Sequence, residues 1–344
     1  MTLLTIVLVI TFLVVLGYKK SWGKTASDVF SKEWSFTLKG IMAILIVLHH
    51  ISTHLDKWYC TNDTFQFVVF KELICLSPTI VGIFIFISGY GLTSSYIRTE
   101  GQYLDNFFSK RFPKVLNPFI LACVITLITF YAIVPEYNFE FTFGSIHRIT
   151  GWFVPVFLLF YLVFYVTFRV NTEHLKYAAG GVTLFVVCLN LFLIMMNFGN
   201  YWWQSNICFP AGIWYRIYEH NITDYVNQHL KRSFISFNLL IIAVTFISIW
   251  YGRYPGIILP VIISALVVLY TYLRKIELTK VTRFLNNISY EIFLTHALFL
   301  EICNIYFVQD CSIPLPLLTL LFLAVTVITA MIFKLFFSRL LKLY

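Results

Sequence analysis

Charge is what this sequence is short of. Only 12% of its 344 residues are Asp, Glu, Lys or Arg, against about 25% in an ordinary soluble domain. Too little polar surface remains to face water on all sides, which excludes a soluble globular protein. The seven cysteines contain no CxxC pair and no metal-ligand spacing, so a zinc module or a thioredoxin-like centre is excluded as well. Cys123 and Cys188 fall in apolar stretches and read as small core residues. Cys60 and Cys311 fall in connections on one side of the membrane, where an oxidising compartment would permit a disulfide. There is no linker, internal repeat or low-complexity tract. The longest connection, roughly 220–233, and those at 55–66 and 135–150 are too short to fold as catalytic domains. Any chemistry must sit among the helices or at their mouths.

What is present is apolar bulk, and it recurs. The chain is 59% hydrophobic, with 36 Phe and 21 Tyr. A membrane span needs ~20 apolar residues, within a range of ~17–25. Eleven stretches come near that length: roughly 2–17, 36–54, 67–96, 112–134, 151–170, 177–198, 202–219, 234–252, 255–273, 284–308 and 314–341. The first is short, but its positive charges follow the apolar run and no small-residue cleavage site comes after, so it reads as a span rather than a signal peptide. The expected fold is an all-α, polytopic transmembrane helical bundle of about eleven spans. Residues 1–34 form an extra N-terminal helix with its cytoplasmic linker, and residues 35–344 form one membrane domain.

The net charge of +9 does not call for a nucleic acid, because the positive charge sorts by loop. Of the 25 lysines and arginines, only Lys57, Lys71, Arg148 and Arg253 fall on one side; the other 21 collect in the alternate connections, from Lys19 to Lys342. Basic residues gather in cytoplasmic loops, so the N-terminus is expected outside and the C-terminus in the cytoplasm.

Ionisable groups at membrane depth are costly and usually mark a pathway or a reaction centre. Four places carry them. In the second span, Lys39 and His50 are eleven residues apart, about 16 Å along a helix and about three turns, and so share one face. Lys39 lies at the cytoplasmic rim and His50 deeper. His49 is turned about 100° from that face, toward another part of the bundle. His50 and His54 have a spacing that suits a metal, yet no carboxylate completes a ligand set on that face, so no metal is expected. In the third span, Gly82 and Gly89 suit close helix packing, while Ser88 and Tyr90 put hydroxyls near the cytoplasmic mouth. The segment Lys110-Arg111-Phe112-Pro113-Lys114 is either a topology anchor or an anion-binding helix start, and composition leaves both open. In the tenth span, Ser289 and His296 are seven apart on one face, with Tyr290 and Glu291 beside Ser289. Two histidines in different spans point to a polar centre inside the bundle. A membrane enzyme and a transporter or flippase of a lipid-linked glycan both remain possible from these residues.

In this order the four places resemble the acyltransferase family 3 membrane proteins, which O-acylate cell-surface carbohydrates in bacteria and some other substrates elsewhere. Lys39, ten residues and His50 match the family's Arg-x10-His; Ile87-Ser88-Gly89-Tyr90 matches its Phe-rich run ending in Ser-Gly-Tyr. Arg111 to Pro118 matches its basic segment leading into a proline-containing span, and Ser289, Tyr290 and His296 match its C-terminal Ser-Tyr…His. Trp152 and the Phe160-Tyr161 region look like its central aromatic span. Lys39 stands where the family usually has arginine, and a lysine cannot grip a phosphate bidentately. The resemblance covers roughly residues 35–335 and implies a ten-span core in a bacterial cell membrane. It implies an acyl-CoA donor, usually acetyl-CoA, as co-substrate with no bound cofactor, and a carbohydrate acceptor. His50 would be the base, with His296 and Lys39 beside it and His49, Ser289, Tyr290 and Trp152 as further candidates. Lys110, Arg111, Lys114, Ser88 and Tyr90 would hold the donor. The oligomeric state, a homo-oligomer included, stays open.

Overall fold

The computed structural model describes residues 32–59, 77–133, 152–233, 279–306 and 311–341, with a few isolated positions between 235 and 243. Every regular element among them is helical: α1 (Lys32–Ser52), α2 (Leu55–Trp58), α3 (Ser77–Arg98), α4 (Phe107–Ile133), α5 (Phe153–Val170), α6 (Leu175–Met195), α7 (Cys208–Gln228), α8 (Lys280–Asn287), α9 (Ser289–Tyr306) and α10 (Leu315–Leu341). Short 3-10 turns at Gln102–Leu104 and Asn200–Trp202 precede α4 and α7. Among the described residues six helices are long and apolar enough to cross a membrane, and the bent pair α8–α9 makes a seventh. The chain is an integral membrane protein. The expected spans 2–17 and 255–273, all but a few positions of 234–252, residues 1–31 of the N-terminal extension and Cys60 lie outside the described residues, and eleven remains an expectation.

The helices divide into two compact units. The first holds α3, the second half of α5, α6 and α7. Its centre is the crossing of α3 with α7. A methyl group added at Gly89 would collide with the Phe209 carbonyl, and one at Gly212 with the Phe86 carbonyl, so each helix presents a glycine to the other's backbone. Only a residue without Cβ permits that approach. Above and below the crossing, polar pairs replace lipid-incompatible loose ends. Ser205 Oγ donates to the Pro78 carbonyl at 2.7 Å, and Arg216 Nε donates to Ser94 Oγ at 3.0 Å. These contacts advance together along both helices, so α3 and α7 run parallel. Helix α6 runs antiparallel to α7, joined by Asn206 to Asn190 at 2.9 Å and by Trp214 to Thr183 at 2.9 Å. The charge sorting predicts both directions, since it has the third and seventh spans descending and the sixth rising.

The second unit holds α1 from Lys39 onward, α2, α4, the first half of α5, α8, α9 and α10. Its apolar centre is Ala122, Val154, Leu294 and Phe333, with Phe119, Phe153 and Phe293 packed around it. Helices α1 and α9 run parallel: Gly40 meets α8 at Thr282 and Asn286, His50 meets His296, and Trp58 meets Asn304. A Cβ at Gly40 would stand 2.8 Å from the Thr282 carbonyl oxygen, so glycine next to Lys39 is what lets α8 lie against α1.

Three expected boundaries are corrected. The span expected at 284–308 is broken, with α8 and α9 meeting at 67°. Asn286 and Asn287 are weak helix formers, and Ser289 Oγ donates to the Asn286 carbonyl at 2.9 Å, a local bond that competes with the helical ladder. The span expected at 202–219 starts at Cys208 and continues to Gln228, so the residues read as a polar connection after 219 begin as helix. The span expected at 112–134 begins at Phe107 and continues through Pro113 and Pro118, so Lys110–Lys114 lies in the first turns of α4.

Candidate active site

The second unit brings His50 and His296 together. Their rings lie 4.9 Å apart, tilted by 38°, although the two residues belong to helices α1 and α9, far apart in sequence. The pair is asymmetric. His296 is sealed, with 1% of its surface exposed, while His50 is only half-buried. His296 Nδ1 lies 3.0 Å from the Ile292 carbonyl. A carbonyl can only accept, so Nδ1 carries the proton, and in the neutral ring Nε2 carries the lone pair. That Nε2 is buried and has no hydrogen-bond partner among the described residues. The site thus contains one imidazole fixed in tautomer and orientation, and a second, reachable one against it. His49 is buried and lies edge-on to His50, ring centres 4.9 Å apart at 65°. The two are consecutive on α1, so they touch although His49 is turned about 100° from His50, and its charge would also act on His296.

Below the histidines, Lys39 is half-buried at the Gly40 contact, and the charge whose field it feels is that of Arg111. Of the three basic candidates on α4, Arg111 is half-buried while Lys110 and Lys114 are exposed. Lys39 on α1 and Arg111 on α4 thus lie within electrostatic reach of each other, and an anion nearby would relieve their repulsion.

Tyr290 and Ser289 serve the scaffold. The Tyr290 hydroxyl donates to the Val115 carbonyl at 2.7 Å, tying α9 to α4. Pro118 offers no backbone N–H to the helix ladder there, which loosens α4 next to the carbonyl that Tyr290 takes. Ser289 spends its hydroxyl on the break at Asn286. Trp152 stands in the turn before α5, its ring 5.6 Å from Phe153.

In the first unit, Ser88 is half-buried, and the Tyr90 hydroxyl donates to the Glu219 carboxylate, 2.9 and 3.1 Å from its two oxygens. Arg216 holds the same carboxylate at 3.2 Å. Sequence reasoning missed this Ser94–Arg216–Glu219–Tyr90 chain. The signal for it was Glu219, an acid at the edge of an apolar stretch. It also missed Lys334, which was read only as a cytoplasmic charge. Its Nζ donates to the Asn287 carbonyl freed by the helix break and lies 3.9 Å from Glu291. No group of three or more His, Cys, Asp or Glu among the described residues could hold a metal.

Comparison with known proteins adds one finding. The acyltransferase family 3 model, described as an acyltransferase domain, matches residues 32–335. No curated protein and no solved structure matches.

Proposed function

Since the chain belongs to the acyltransferase family 3 membrane proteins, we propose that it moves an acyl group, commonly acetyl, from acyl-CoA to a hydroxyl of a cell-surface or lipid-linked carbohydrate. The observation that carries this reading is the His50–His296 pair, 4.9 Å apart inside a membrane domain. A hydroxyl is a poor nucleophile until a base takes its proton, and a positioned base contributes ~10²–10⁴ in rate. His50, half-buried, is the imidazole an acceptor can reach. It removes the hydroxyl proton as the oxygen attacks the thioester carbonyl. The tetrahedral intermediate collapses, the C–S bond breaks, and the same proton returns from His50 to the CoA thiolate. The products are an O-ester and free CoA, and no proton is gained or lost overall. No hydrogen bond joins the two rings as they stand, but His296 is pinned through Nδ1 with its Nε2 lone pair unused among the described residues, and a turn of the His50 ring would let that lone pair accept from the imidazolium N–H and stabilise the charged form.

Lys39 and Arg111 suit the anionic phosphates of CoA, with the exposed Lys110 and Lys114 gathering the donor at the mouth. Donor entry from the cytoplasm follows from the charge sorting, which also sets the C-terminus there and suits a bacterial inner membrane. The direct test uses purified protein in detergent with radiolabelled acetyl-CoA, together with mass spectrometry of surface glycans from cells with and without the gene. Loss of an ester of defined mass, and transfer of label to the same glycan, support the reading. Unchanged glycans and no label transfer refute it.

A further inference from the structure

We infer that the far end of the α1–α9 seam is an acceptor subsite that takes a neutral, hydroxyl-rich ligand and rejects acidic ones, with Glu301 as the determinant. The inference rests on the transfer reading above for its role, but its binding chemistry stands on separate residues. Going up the seam from the histidines, His54 follows on the α1 side and Glu301 and Asn304 on the α9 side. Trp58 Nε1 donates to Asn304 Oδ1 at 2.9 Å. An indole N–H can only donate, so the amide orientation is forced and Nδ2 is left to donate to Glu301 Oε2 at 3.3 Å. His54 stacks on Trp58, ring centres 5.7 Å apart. Its Nδ1 lies 2.9 Å from the His50 carbonyl and 2.8 Å from Thr53 Oγ1, whose own hydroxyl donates to that same carbonyl, so Nδ1 carries the proton and the neutral ring presents Nε2 as an acceptor.

The groups left over are nearly all acceptors. Glu301 has no cation pairing with it among the described residues, and only one of its oxygens is engaged, by Asn304. It is half-buried, as are His54 and Asn304. Its charge is close enough to act on His54, as is that of the exposed Lys57. An exposed ammonium is screened by water and salt, whereas a half-buried carboxylate is less so. A carboxylate in a span that no cation among the described residues pairs with is costly and suits a ligand or pathway role. Carboxylate oxygens and an imidazole nitrogen accept from O–H groups, so a polyol fits them. A second carboxylate or a phosphate would be repelled. The other end of the same seam, at Lys39 and Arg111, has the opposite character and suits the donor.

The test uses methyl β-D-glucoside and methyl β-D-glucuronide, which differ in a carboxylate at C6, as probes on the full chain in nanodiscs. Binding is followed by calorimetry, and acetyl-CoA turnover is measured in parallel. Wild type is expected to prefer the glucoside at least tenfold. E301Q should weaken glucoside binding and narrow that preference to within about twofold, while the acetyl-CoA KM stays within twofold, and E301D should restore part of the preference. An equal preference in wild type and E301Q, no preference in wild type, or no binding of either glycoside overturns the subsite. Acetyl-CoA turnover lost in wild type while the glycoside preference persists would sink the transfer reading and leave the subsite standing.

Discussion

Replacing the three clustered histidines one at a time, and two together, tests the division of labour at the centre of the site. His50→Ala removes the reachable imidazole and with it the base, so transfer should fall by ~10²–10⁴, about 3–5 kcal/mol of transition-state stabilisation at ~1.4 kcal/mol per decade. His296→Ala leaves the base in place but removes the lone pair available to its imidazolium during transfer. A hydrogen bond to a charged partner is worth ~1.5–3 kcal/mol, so the loss should be about ten- to a hundredfold. If His296 acts only through His50, the double variant should be no slower than His50→Ala alone, because the contact has already gone. His49 is buried, so His49→Ala should show mainly as lost stability, ~1–3 kcal/mol for the neighbours left unpaired, with turnover changed much less. The assay is acetyl transfer by purified variants at matched protein levels, with melting temperature followed alongside. Abolished transfer in His49→Ala with most activity retained in His50→Ala would put the base on the wrong residue. Losses that multiply in the His50/His296 double variant would show that the two imidazoles act separately.

The helix crossing supplies a stability prediction. Gly89→Ala meets the Phe209 carbonyl and should lower stability by ~1–3 kcal/mol, while Gly91→Ala, with nothing within 4 Å of its new methyl, should be neutral; equal melting temperatures for the two would refute the close contact. Reversing Arg111 and Lys114 together should raise the apparent KM for acetyl-CoA in a purified assay without unfolding the protein, and an unchanged KM would reduce them to topology anchors. A reporter fused after Tyr344 should be cytoplasmic and one inserted at Asn62 external, as accessibility labelling would show; the same side for both would end the eleven-span reading.

What the sequence reveals and what it hides follow from how each feature is encoded. Spans are written as local composition, so α4, α5, α6 and α10, and α3 from Ser77 onward, fall close to where hydropathy puts them. Lys39, His50 and His296 stand out for a related reason: an ionisable side chain in an apolar run is conspicuous without any knowledge of its partner. Partners are a different matter. Nothing local says that the Tyr90 hydroxyl belongs to Glu219 or that the Lys334 ammonium stands over the Asn287 carbonyl, because each pairing depends on which helix faces which. The break at Asn287–Ser289 was legible in part, as two asparagines followed shortly by a serine are poor helix and good cap. An otherwise apolar run outweighed that signal.

The pairing of α1 with α9 shows why the site had to be seen rather than read. Helical arithmetic puts Lys39 and His50 on one face of α1, but a face has value only against what covers it. Gly40 of α1 lies against α8, His50 of α1 against His296 of α9, and Trp58 of α2 against Asn304 of α9, so the α1–α2 and α8–α9 segments advance in step. Had the helices run antiparallel, Lys39 would lie toward Asn304 and the histidines toward the α8 end. The cationic end and the hydroxyl-accepting end would then be mixed. Because they keep step, the seam sorts its chemistry by depth, with cations at one end, imidazoles in the middle, and a carboxylate with an amide at the other. Donor and acceptor can then approach from opposite ends without competing for one mouth. With His296 sealed, the half-buried His50 is the imidazole of the pair left for either substrate to meet.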